Sequence, residues 1–207
     1  ALVWGVALGA VSVPLLAIFA NPMTAFLGAV ALLSYVGIYT PLKQRSWTAL
    51  LIGSVPGALP PLMGWTAITG QIEAPGVVLF GILFLWQLPH FIAISLFRQG
   101  EYTRAGFKVL PAVLGRHSAK VHAVLWAAAL VPVSLALVPL GIAGWLYLSV
   151  AGLAGLWFFA RALQGLRESV AGDKLAEHQW SRQLFFASLA YLPVVFAALA
   201  VDVTGGF

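Results

Sequence analysis

The sequence predicts an all-α polytopic membrane protein with about seven spanning helices, and three observations carry that prediction. The first is composition: 61% of the 207 residues are hydrophobic and 8% are charged, with a mean hydropathy of +0.97. That is more apolar surface than a water-soluble domain of this size can bury. The second is length. Apolar stretches at about 1–18, 23–40, 48–68, 77–97, 119–139, 144–163 and 182–203 approach the roughly 20 residues that a helix needs to cross a bilayer. The third is charge placement. All Lys and Arg fall into three clusters: Lys43 and Arg45; Arg98, Arg104, Lys108, Arg116 and Lys120; Arg161, Arg167, Lys174 and Arg182. They flank every second connection, whereas the links near 19–22, 69–76 and 140–143 carry no base and one acid, Glu73. The positive-inside rule then places the basic loops in the cytoplasm and the C-terminus outside.

This placement accounts for the net charge of +5 without a nucleic acid; the partner that the composition implies is a lipid bilayer. Alternation of period two is absent, which excludes a transmembrane barrel. There is no cysteine, hence no disulfide and no thiolate chemistry.

The elements follow in order. Ala1 lies inside an apolar run, with neither an initiator Met nor the charged start of a signal peptide. The expectation is that residues 1–207 are the C-terminal part of one transmembrane domain, with two helices upstream. Segment one closes at Asn21-Pro22, a turn signal. Segment two ends in Tyr35-Val36-Gly37-Ile38-Tyr39-Thr40-Pro41-Leu42-Lys43. Segment three holds Gly53, Pro56, Gly57, Pro60, Pro61 and Gly64. Its Gly53/Gly57 spacing permits close helix approach, and Pro60-Pro61 is expected to kink or unwind it. Tight packing and a kinked, cavity-lining helix both fit. Segment four carries Gln87 and His90 within an apolar run, and a polar loop, 98–111, follows it directly. The connection at 161–181 sets Glu168, Asp173 and Glu177 among bases, the pattern of a solvated amphipathic link. No internal repeat relates the two halves.

Hydrocarbon offers no partner to an amide or an imidazole, so Gln87 and His90 face either a neighbouring helix or a site. Three features converge on the cytoplasmic boundary. Tyr39 and Lys43 are four apart on one helix face. Gln87 and His90 are about two turns inside the end of segment four. Glu101, Tyr102, Arg104 and Lys108 occupy the loop just beyond. Cationic donors, a carboxylate and phenols beside an apolar cavity suit a ligand with an anionic head and a greasy tail. Lys and Arg bind phosphate oxygens, and a carboxylate can share Mg²⁺ with phosphate.

The stretches YTPLK at 39–43, GSVPGALPPLMGW at 53–65, FLWQLPHF at 84–91, EYTRAGF at 101–107 and SLAYLP at 188–193 resemble the haem branch of the UbiA-type intramembrane prenyltransferases, over essentially the whole chain. The resemblance implies a nine-helix fold, of which about seven helices lie here. It also implies a reaction: farnesyl diphosphate loses its diphosphate with Mg²⁺ assistance, and a vinyl group of haem b captures the allylic cation, giving haem O for terminal-oxidase biosynthesis. By the same resemblance Tyr39 is placed at the allylic cation and Lys43 at the diphosphate, with Arg104 and Lys108 as further diphosphate contacts. Gln87, His90 and Tyr102 are expected to recognise the porphyrin, His90 as an iron ligand or a donor to a propionate. Glu101 falls where relatives carry a metal-binding aspartate, and Ala105 stands where they carry a second acid. The main Mg²⁺ site is therefore expected upstream of Ala1, and residues 1–207 alone are expected to transfer no prenyl group. A haem A synthase or an oxidase-assembly factor is an implied partner.

Three other readings compete. A prenyltransferase for a quinone precursor lacks a reason for the LWQLPHF stretch. A retinal protein needs a lysine in its last helix, and 183–203 has none. A transporter is disfavoured by the absence of repeats and of charge within segments two to six.

Overall fold

The computed structural model describes residues 2–167 and 173–205. Helix α1 spans Leu2–Phe19, and α2 spans Pro22–Leu33, continuing through a π-helical stretch, Ser34–Tyr39, into the short α3, Thr40–Leu42. Then come α4 (Ala49–Thr69), α5 (Ala74–Phe97), the short α6 (Gln99–Arg104) and α7 (Leu110–Val113), α8 (Arg116–Leu135), α9 (Trp145–Leu163) and α10 (Lys174–Gly205). Among the described residues six helical stretches, from Pro22–Leu42 to Lys174–Val203, are long and apolar enough to cross a membrane; the apolar stretch of α1, Trp4–Phe19, is shorter. This is the helical architecture of an integral membrane protein.

Local chemistry explains the boundaries. Asn21 caps α2: its Oδ1 accepts from the Thr24 amide at 2.9 Å, and Pro22 occupies the first turn, where no N–H is needed. The other end of the Asn21 amide donates to the Thr66 carbonyl at 2.6 Å, and Thr24 and Thr66 share a hydroxyl bond of 2.9 Å. The α1–α2 turn is thereby tied to the far end of α4, which stops at Gly70 in the left-handed conformation (φ 75°). The π-helical stretch ends at Tyr39, two residues before Pro41. A proline ring collides with the carbonyl four residues back, and a wider turn upstream relieves that collision. Of the two outcomes expected of Pro60-Pro61, a kink or unwinding, unwinding does not occur: α4 runs unbroken from Ala49 to Thr69.

The helices pack as two unlike groups. α5, α8, α9 and α10 close into a ring, α5 meeting α8, α8 meeting α9, α9 meeting α10, and α10 returning to α5. Their shared interior holds the main core, with Leu130, Tyr147, Phe158, Leu184 and Tyr191 almost completely buried. Polar groups inside it are paired: Tyr147 donates to the Ser134 carbonyl at 2.7 Å and Ser134 Oγ meets Tyr191 Oη at 2.6 Å. α1, α2 and α4 form a row, α1 on α2, α2 on α4, and α4 on the outer face of α5. Their core is small, Leu27 with Leu59 and Leu62.

The stretch read from charge pattern as a solvated link, 161–181, differs at its end, which is the first part of α10. Glu177 is buried, and its carboxylate bonds Arg116 Nε at 2.6 Å and Lys120 Nζ at 2.7 Å, both on α8. Arg116 also reaches Gln99 and the Leu96 carbonyl (3.3 Å). Burial reverses the expectation because the opposing bases come from α8, distant in sequence, rather than from the link itself. Asp173 remains exposed, and Glu168 lies outside the described residues.

Candidate active site

A cavity of about 860 Å³ opens where α2, the π-helical turn, α4 and α5 meet beneath the α6–α7 segment. Its body is apolar, walled by Leu16, Leu32, Leu50, Met63 and Phe91. Its mouth is polar and cationic: Tyr35, Tyr39, Lys43, Tyr102 and Lys108 line it, with Gln87 and Ser95 deeper.

Each side chain is held by something specific. Tyr39 leans on Tyr35, ring centroids 5.1 Å apart, and its ring lies on Gly53, where a Cβ would come within 2.6 Å of Tyr39 Cδ2. Lys43 Nζ is 5.8 Å from the Tyr39 ring centroid and 5.5 Å from that of Phe107, a cation held between two aromatic faces. The Lys108 amide donates to the Lys43 carbonyl at 3.2 Å, so the α6–α7 segment is fastened over the end of α3 and both lysines border one opening. Gln87 is buried, and its Nε2 donates to Leu83 O at 3.0 Å and Ser54 O at 3.4 Å. Its Oε1 lies over Gly57, where any Cβ would fall far inside van der Waals contact. Gly53 and Gly57 therefore open space on α4 for the Tyr39 ring and the Gln87 amide, beyond the helix approach that their spacing suggests.

The other expected site residues lie elsewhere. His90 is buried, but not on the cavity wall. Its Nδ1 bonds Ser188 Oγ on α10 at 2.7 Å, and its ring stacks on Trp86 and leans on Phe185, each with centroids 4.9 Å away. Residues three apart on a helix point about 60° apart. α5 meets α4 on one side and α10 on another, so Gln87 and His90 serve different interfaces. Glu101 faces a second pocket, paired with Arg98 at 3.1 Å. Arg104 is exposed, donates to the Gly100 carbonyl at 3.2 Å, and lines neither pocket. Tyr102 lines both. Tyr35 and Phe107 belong to the mouth although sequence reasoning passed over them. The signal for Tyr35 was its position one helical turn before Tyr39, in register with Lys43; the place of Phe107 depends on how the loop folds back.

No carboxylate lines the cavity, and among the described residues no group of three or more His, Cys, Asp or Glu could hold a metal ion. Glu101, already paired with Arg98, does not make a Mg²⁺ site with the residues present here.

An apolar cavity between spanning helices, with lysines and phenols at one end, has the chemistry to suit a long apolar chain with an anionic head. Residues 1–190 match the UbiA prenyltransferase family, and the chain belongs to that family. It is 52% identical over 201 residues to a protein of Sorangium cellulosum (strain So ce56) named Protoheme IX farnesyltransferase, covering 97% of this chain and 70% of that one. A protein of the same name from Myxococcus xanthus (strain DK1622) is 52% identical over 202 residues, covering 98% and 67%. Another, from Anaeromyxobacter dehalogenans (strain 2CP-C), is 47% identical over 195 residues, covering 94% and 64%. The chain thus spans about two thirds of the length of these relatives. In three dimensions it is similar to a solved structure concerning digeranylgeranylglyceryl phosphate synthase in membranes, with a TM-score of 0.75, 19% identity, and coverage of 92% of this chain and 65% of that one. That likeness speaks for the fold.

Proposed function

We propose that this chain, acting as a single transmembrane domain, belongs to an enzyme that transfers a farnesyl group from farnesyl diphosphate to a vinyl group of haem b, giving haem O. The observation that carries the proposal is the pairing of a cationic, phenol-lined mouth with a deep apolar cavity, in a chain about half identical to proteins named for this reaction.

The diphosphate rests at the mouth against Lys43 and Lys108, whose ammonium groups accept the charge that grows on the leaving oxygen. The isoprenoid tail runs into the apolar body. The C–O bond breaks with its electron pair leaving on the diphosphate, and the allylic cation forms beside the faces of Tyr39 and Tyr35, where aromatic quadrupoles favour positive charge. The vinyl π pair forms the new C–C bond. The cation left next to the porphyrin takes a hydroxyl from water, which releases a proton. Tyr102 contacts the acceptor where the cavity and the second pocket adjoin, Gln87 borders the cavity in which the reactants meet, and His90 acts through Phe185. Because the residues present do not form a metal site, no step here passes through Mg²⁺, although the assay supplies it. We further propose a bacterial plasma membrane, with the basic helix ends cytoplasmic. The bacterial relatives and the charge asymmetry support this, and a haem A synthase or oxidase-assembly factor is a natural recipient of the product.

The test uses the full-length gene product in nanodiscs with haem b, farnesyl diphosphate and Mg²⁺, read by mass spectrometry for hydroxyethylfarnesyl haem. Lys43→Ala is expected to lower kcat/KM by roughly a hundredfold. Prenylation of a hydroxybenzoate or naphthoate acceptor with no haem product would move the chain to quinone-precursor chemistry.

A further inference from the structure

The second pocket, about 590 Å³, lies between the ends of α5 and α10 and the start of α6, on the far side of Tyr102 from the cavity. Its walls are aromatic: Phe97 meets Phe185 edge to face at 5.9 Å, and Phe185 meets Phe186 at 5.4 Å. His178 stands edge-on to Phe97 at 6.2 Å. Its rim carries two guanidinium groups, Arg98 from the α5–α6 junction and Arg182 from α10. Arg98 is paired with Glu101, and no described acid pairs with Arg182. Behind the wall, His90 and its bond to Ser188 hold Phe185 in place.

We propose that this pocket docks the acceptor: a flat aromatic macrocycle lies against Phe97 and Phe185, and its carboxylate side chains pair with Arg98 and Arg182. The proposal rests on the haem-farnesylating reading above and locates the acceptor within it. Rigid aromatic walls select a flat ring over a flexible chain, and guanidinium groups pair with carboxylates in a planar, two-point geometry that an ammonium lacks. Tyr102, common to both pockets, is the partition under which the ring edge meets the allylic carbon. His90 is then a positioning residue. Phosphate head groups of lipids share the charge but not the flat apolar face.

Binding is measured without farnesyl diphosphate, using metal-free protoporphyrin IX and its dimethyl ester with the full-length gene product in phosphatidylcholine nanodiscs, by quenching of tryptophan emission against empty discs. Arg182→Gln is expected to weaken the free acid about fivefold and the ester less than about twofold, since an exposed charge pair contributes modestly. Glu101→Gln, which frees Arg98, is expected to tighten the free acid by about twofold, a change of sign that misfolding does not produce. Equal shifts for acid and ester, no shift for either, or weakening by Glu101→Gln would each overturn the proposal. So would an Arg182→Gln effect confined to discs containing phosphatidylglycerol, which would assign the arginine to lipid. Loss of turnover with this binding pattern intact would count against the reaction rather than the pocket; turnover with the pattern absent would count against the pocket alone.

Discussion

The ring α5–α8–α9–α10 and the row α1–α2–α4 are both built from apolar helices, and they pack differently. The ring buries Tyr147, Phe158, Leu184 and Tyr191 in a large shared core, with Trp145, Leu153 and Leu156 on its outer surface, and seals some of its charges: Glu177 and Lys120 are nearly inaccessible, and Ser134 is completely buried among tyrosine hydroxyls. The row leaves Trp4, Leu8, Phe26, Leu33 and Val36 mostly exposed and keeps a cavity open against α5. The ring contributes stability, and the row, with the α6–α7 segment, contributes the place where a ligand sits. α5 belongs to both. Its Gln87 face looks into the cavity and its His90 face into the ring and toward the second pocket.

Substitutions test that division, from large effects to small. Glu177→Ala leaves the buried Lys120 without its carboxylate and Arg116 with only Gln99 and the Leu96 carbonyl. Breaking a buried ion pair from one side costs about 3 kcal/mol or more, so a marked fall in the melting temperature in detergent is expected, with turnover per folded molecule retained at low temperature. A catalytic defect with unchanged melting would erase the distinction between the halves.

A matched pair sharpens it. Gly165→Ala drives a methyl into the Trp180 ring inside the ring bundle, where overpacking costs about 1–3 kcal/mol; melting should fall while activity survives. Gly57→Ala drives the same methyl into Gln87 Oε1 at the cavity wall, where the amide can swing into open space. Melting should then hold, and kcat/KM should fall roughly tenfold as the site loses its geometry. The two outcomes interchanged would show that the cavity is structural. The smallest effect is expected from Ser134→Ala, which leaves the Tyr191 hydroxyl buried without its 2.6 Å partner and costs about 1 kcal/mol, read as a small melting shift with no kinetic change.

Much of this was legible in the sequence. Hydropathy located the long helices, the charge clusters gathered at one set of ends, and the Tyr39–Lys43 pair reached the cavity mouth. These are one-dimensional properties: a helix of about 20 apolar residues forms wherever lipid surrounds it, and side chains four apart share a face whatever the neighbours. Boundaries next to charge were misread. α10 begins at Lys174 rather than near 182, and α8 at Arg116 rather than near 119; Glu177 near the start of α10 pairs with Arg116 and Lys120 in the first turns of α8.

Partner choice was decided by tertiary structure alone. Gln87 and His90 are equally improbable in a membrane helix and equally close along the chain, yet one faces a cavity and the other a serine on α10. Only the arrangement of helices around α5 separates them. Glu101 and Tyr102 are adjacent, and only the fold of 98–111 gives one to the second pocket and the other to both. A sequence states which groups cannot be left in hydrocarbon without a partner; which partner each one finds depends on contacts between residues tens of positions apart, and those exist only once the helices have packed.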